Sequence, residues 1–145
     1  MLAARDGPEA EIRTILDRIT SEVPARDRPR IVLGNALPTY SAERFLADYP
    51  ETYIVCGEGE YALCALIDCL KHGGDLESVP NLAHITEGTA RVQPSVPVRP
   101  QDFVIPDTEG LRETAESGGI IQLEASRGCS WGRCTFCNRF RLCSG

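Results

Sequence analysis

An α/β fold is predicted for this 145-residue chain by three features: two short apolar runs rich in β-branched residues, helical spacing of apolar residues around them, and a glycine where each run ends. The resulting order, helix-strand-helix-strand-helix, matches parallel α/β units, in which loops at the carboxyl ends of the strands hold ligands.

The first helix is read from Ile12, Ile15, Leu16 and Ile19, which recur at helical spacing after Pro8 with Glu9 and Glu11 in the first turn, and it stops before Pro24. Arg30-Ile31-Val32-Leu33-Gly34-Asn35 then reads as a short buried strand. Ser41 is placed to cap a helix running to about Asp48, which turns Phe45 and Leu46 inward. Thr52-Tyr53-Ile54-Val55-Cys56 is the second strand, followed by Gly57-Glu58-Gly59-Glu60. The next helix carries Leu63, Leu66, Ile67 and Leu70 on one apolar face and ends at Gly73 and Gly74.

From Val79 the composition changes. Leu82 to Thr86 and Thr89 to Gln93 flank Glu87-Gly88 and predict a hairpin, with Gly88 supporting the turn. Pro94, Pro97, Pro100 and Pro106 follow, so the stretch to Gly119 reads as an extended linker holding at most one helical turn. Ile120 to Ala125 is a further strand candidate. Three regions are therefore expected: an α/β unit over 1–78, a hairpin and linker over 79–118, and a new unit beginning at 119–145. Two strands make a narrow sheet, so the helix faces are expected to be incompletely covered and the isolated chain marginally stable.

With 42% hydrophobic and 25% charged residues the composition is that of a soluble globular protein. The formal net charge of -6 opposes nonspecific nucleic-acid binding, although Arg127, Arg133, Arg139 and Arg141 make the tail locally basic. No leader-like segment or bilayer-length apolar run is present, so no membrane partner and a cytoplasmic location are expected. A reducing compartment makes the seven cysteines buried residues or metal ligands rather than disulfides.

Three of those cysteines lie close together in Ser126-Arg127-Gly128-Cys129-Ser130-Trp131-Gly132-Arg133-Cys134-Thr135-Phe136-Cys137. One short loop can wrap three such thiolates around a soft metal or cluster at little closure cost. The cationic neighbours favour the thiolate form, and Gly128 and Gly132 supply turn freedom. Spacing alone leaves several readings open. A plant-type ferredoxin cluster needs a more distant fourth cysteine than Cys143, and a closed zinc site using Cys143 is sterically possible.

The stretch Glu124 to Arg139 resembles the cluster loop of radical S-adenosylmethionine enzymes. That resemblance implies a 4Fe-4S cluster on Cys129, Cys134 and Cys137, with one iron left open for S-adenosylmethionine. Phe136 matches the aromatic residue just before the third cysteine and is a candidate cofactor contact. Ile120 to Ala125 takes the place of the first strand of a partial (β/α) barrel. The first gap holds four residues where three are commonest. In an intact relative an electron donor such as a flavodoxin or ferredoxin would feed the cluster. Reductive cleavage would then give methionine and a 5′-deoxyadenosyl radical, for a substrate, small molecule or peptide, that the resemblance leaves open.

The first half resembles the later part of the cobalamin-binding domain that precedes the barrel in one class of this family. The likeness rests on Ile31-Val32-Leu33-Gly34, on Tyr53 to Glu60 with its following helix, and on the Pro-rich connector. It implies a partial Rossmann-like unit in which Gly57, Glu58 and Gly59 are candidate cofactor contacts. The glycines would admit close approach, and the next helix start would receive an anionic group. Gly34-Asn35 stands where the family often has paired glycines. No Asp-x-His-x-x-Gly motif surrounds His72 or His84, so cobalamin is expected only in an intact relative. The chain accordingly reads as a fragment, inactive in turnover by itself, and a noncatalytic zinc or iron-sulfur module is the alternative.

Overall fold

The computed structural model describes residues 8–103, 108–121, 127, 129, 131 and 133–136. Its elements are α1 (Pro8–Glu22), β1 (Val32–Leu33), α2 (Ala36–Tyr40), α3 (Ala42–Asp48), β2 (Tyr53–Val55), α4 (Glu60–His72), β3 (Leu82–Thr86), β4 (Thr89–Val92) and α5 (Thr108–Glu116). The fold class is α/β, as expected, but among the described residues the sheet has four strands in the order β1-β2-β3-β4. β1 and β2 are parallel, pairing Val32 with Tyr53 and Leu33 with Ile54. β3 runs antiparallel to β2, pairing Ile54 with Ala83, and β4 returns antiparallel to β3.

Two expectations change here. The hairpin is no appendage of a linker: the sheet crosses the boundary expected at residue 78, and its two added strands replace the narrow two-stranded sheet. The reason lies in Leu82 and Ala83, both fully buried. Side chains of successive strand residues point to opposite faces, so two adjacent buried residues require cover on both sides. Glu87 and Gly88, at φ 52° and 75°, form the two-residue turn that suits the right-handed strand twist.

Leu16 of α1, Ala42, Phe45 and Leu46 of α3, Ile54 and Ala83 form the core on one face of the sheet. On the other, Leu66 of α4 packs with Val79 and Leu82. Each large side chain so buried contributes about 1.5–3 kcal/mol relative to exposure. The apolar stripes are narrower than their spacing suggested. Ile15 of α1 is 58% exposed, and Leu63 and Ile67 of α4 are 43% and 40% exposed. β1 is not buried either: it is an edge strand, and Val32 is 38% exposed.

Local caps also differ from expectation. Ser41 precedes α3 but makes no side-chain capping bond; its own N–H is donated to the Leu37 and Pro38 carbonyls of α2. The side-chain cap belongs to Asn35, whose Oδ1 accepts from Ala36 N–H at 2.6 Å. Asn35 sits at φ 74°, a conformation that favours glycine. α4 ends as expected, with Gly73 N–H donated to the Cys69 carbonyl at 2.9 Å and Lys71 and His72 in the exposed last turn.

The linker contains more helix than the single turn expected. α5 spans nine residues and closes with Gly119 N–H donated to the Thr114 carbonyl at 2.8 Å. Of the strand expected at Ile120 to Ala125, Ile120 and Ile121 carry no strand pairing, and the rest lies outside the described residues. No helix among the described residues is long and apolar enough to cross a membrane.

Candidate functional site

The loop from Cys56 to Glu60 joins β2 to α4 at the carboxyl end of the parallel pair. Gly57 takes φ 86°, a left-handed backbone that a side chain would strain, and donates its N–H to Thr39 Oγ1 of α2 at 3.0 Å. Gly59 is under no such demand: a Cβ there would meet only Val55 Cγ1, at an ordinary 3.6 Å. Both glycines line an open, mainly apolar groove of 860 Å³ with Val32, Leu33, Gly34 and Leu63. The groove lies where ligands enter open α/β sheets, beside β1, the edge strand among the described residues.

The two acids of the loop are engaged by later segments, and Glu60 also lines the groove. Glu58, with a side chain only 9% exposed, accepts the Val98 N–H and stands 4.0 Å from Arg127 Nη1. Glu60 accepts a hydrogen bond from the same Arg127 nitrogen. The Arg127 guanidinium lies 4.5 Å over the Phe103 ring, so a cation–π contact completes its seat. Burial pushes the Glu60 pKa up, but hydrogen bonds from its own N–H, from Arg127 and from the Gly59 N–H outweigh this, and the carboxyl is held below its usual range. Two N–H groups at the start of α4, those of Gly59 and Glu60, are thus taken by the Glu60 carboxylate rather than left for an anionic ligand.

The organiser of this loop is Asn81, a residue the sequence analysis passed over. It is 1% exposed and sits at φ 58°. Its Nδ2 donates to the Glu58 carbonyl at 2.8 Å and to the Val96 carbonyl at 3.2 Å, while Oδ1 accepts from Val96 N–H. Its backbone accepts from Cys56 N–H at 2.7 Å and donates to the Pro94 carbonyl at 3.1 Å. One side chain therefore ties the glycine-rich loop to the Pro-rich segment. Farther along, Tyr61 Oη donates to Asp102, and Arg99 Nε donates to Asp102 at 2.7 Å. The bond from Tyr61, then that from Arg99, hold the Asp102 carboxyl below its usual range. The Pro-rich segment from Pro94 to Asp102 is thus strapped to the first unit.

Of the expected cluster ligands, Cys129 is exposed, and Cys134 is half-buried as a free thiol. Cys137 lies outside the described residues, as does Cys143, and among the described residues no three potential ligands converge. Phe136 is 89% exposed, so core packing gives no reason for an aromatic residue there. Arg133 lies 5.6 Å from the ring centre of Trp131. Cys56, Cys64 and Cys69 are also free, and burial pushes the Cys56 thiol up, which disfavours its thiolate.

No protein-family model matches the chain. It is 37% identical over 128 residues to a 4'-phospho-dehydrooxetanocin synthase from Priestia megaterium, a match covering 86% of this chain and 17% of that protein. Structures of the cobalamin-dependent S-adenosylmethionine radical enzyme OxsB superpose with a TM-score of 0.77 at 34% identity over 90% of this chain and 18% of OxsB. One of those structures holds aqua-cobalamin and S-adenosylmethionine, another aqua-cobalamin. The apo form matches with a TM-score of 0.71 over 88% of the chain. The likeness thus runs well past the first α/β unit, and this chain is similar to one part of a cobalamin-dependent S-adenosylmethionine radical enzyme, spanning 17% to 18% of the proteins it matches.

Proposed function

We propose that this chain is the part of a radical S-adenosylmethionine enzyme that joins a cobalamin-type α/β domain to the loop holding a 4Fe-4S cluster. The observation that carries the reading is a single likeness, 34% identical over 90% of the chain, that extends from the α/β unit through the strapped linker. The donor set fits such a group: Cys129 and Cys134 lie in an arginine-rich loop that favours thiolates, and Cys137 supplies the third sulfur by spacing. When bound, the cluster would supply the electron for reductive cleavage of S-adenosylmethionine.

The chain's own residues seat and orient that loop. Asn81, Glu58 and Glu60 fix the loop after β2, and Phe103 and Arg127 attach the cysteine segment to it. The groove beside β1, lined by Gly57 and Gly59, is the place where the cobalamin of an intact relative would approach this unit. Reduction by a small redox protein and a reducing cellular compartment follow from the thiolate ligands. Turnover would require the remainder of a longer protein. Anaerobic reconstitution with iron and sulfide tests the reading: the proposal expects about four irons per chain, lost in Cys129→Ala, Cys134→Ala and Cys137→Ala. Stoichiometric zinc that survives these conditions would replace it with a closed structural site.

A further inference from the structure

The acidic pair of the glycine-rich loop stands at the beginning of α4, and both carboxylates are already engaged, although Glu60 also lines the groove. Glu58 is buried against the linker, where it accepts the Val98 N–H, and Glu60 is bonded to Arg127 across 67 residues of sequence. Arg127 itself is two residues from Cys129, and its guanidinium is enclosed between Glu60, Glu58 and the face of Phe103. A guanidinium held by two carboxylates and a ring has little rotational freedom, and so has the backbone that carries it.

We propose that Glu58 and Glu60 are positioning residues, a latch that fixes the cysteine loop on the α/β unit through Arg127. The inference deepens the cluster reading and rests on it for its purpose, though the latch exists independently of any bound group. It also separates the roles within Gly57-Glu58-Gly59-Glu60: the glycines shape the groove, and the acids hold the loop that follows the linker. Asn81 sets the latch from the sheet side, since it fixes the Glu58 carbonyl while Glu58 fixes the linker. A change in the α/β unit would therefore be transmitted to the cysteines through two carboxylates.

Trypsin offers a direct test on the full chain, because it cuts only after an accessible Lys or Arg. Cleavage after Arg127 is compared with cleavage after Arg133, which the latch does not touch. The latch predicts about threefold faster cleavage after Arg127 in Glu60→Gln and about tenfold in Glu58→Gln/Glu60→Gln, with cleavage after Arg133 unchanged. Unchanged cleavage after Arg127, or an equal rise at both arginines, overturns it. Glu60 is partly exposed and Gln keeps an acceptor oxygen, so the single variant folds even if the double does not. In reconstituted chain, iron is expected to pass to a chelator about tenfold faster from the double variant, or about threefold from Glu60→Gln alone, and equal rates refute the positioning role. Failure of the parent chain to take up iron sinks the cluster reading instead, while the tryptic comparison still decides the latch.

Discussion

Arg127, two residues before the first cysteine of the C-terminal loop, donates a hydrogen bond to Glu60 at the head of α4. The two motifs that stand out in the sequence are thereby joined through a charge pair. Its strength depends on pH in a defined direction. The Glu60 carboxyl titrates below its ordinary 4.5, so the pair contributes fully above that value and is lost as pH falls through the lower folded value. Carboxyl carbon NMR is expected to place the Glu60 midpoint below 4.5 and to move it upward in Arg127→Gln. An unmoved midpoint would show that Arg127 does not stabilise the carboxylate.

Gly57 and Gly59 are expected to separate on substitution. Gly57→Ala forces a side chain into φ 86° and should cost about 1–2 kcal/mol, whereas Gly59→Ala meets only ordinary contact with Val55 and should change stability by less than about 0.5 kcal/mol. Urea unfolding measures both, and equal costs would contradict the assignment.

Asn81→Ala removes the side chain that pairs with Glu58 and Val96 and leaves a non-glycine residue at φ 58°. The expected loss is about 3 kcal/mol in urea unfolding, with exchange of the Val96 amide accelerated. A loss below about 0.5 kcal/mol would remove Asn81 from the centre of the loop network.

The core makes a similar contrast. Phe45→Ala is expected to cost about 3–5 kcal/mol, because the side chain is fully buried between α3 and the sheet, while Ile15→Ala should lie within about 0.5 kcal/mol. Comparable losses would mean that α1 turns a different face inward.

What was legible in the sequence follows from range. Leu16, Phe45, Leu46, Ile54 and Leu66 announced their burial through local spacing, and the turn at Glu87-Gly88 through its glycine. Spacing marks a stripe but not its width, so Ile15, Leu63 and Ile67 were read as core although the sheet does not reach them. Adjacent buried Leu82 and Ala83 carried the signal of a central strand, and the change of composition at Val79 obscured it. Asn81 follows a proline and reads as a turn residue; only its long-range bonds reveal its part. The Arg127–Glu60 pair could not be found by any periodicity, although an excess of arginine in the tail and a pair of acids after β2 were the two halves of the clue.

The cluster proposal is tested most directly by electron paramagnetic resonance on the anaerobically reconstituted, reduced chain, with and without S-adenosylmethionine. A 4Fe-4S signal whose g values shift when S-adenosylmethionine is added is the predicted result, since only an iron without a protein ligand can respond in that way. A signal indifferent to S-adenosylmethionine, or no iron signal beside tightly held zinc, would contradict it.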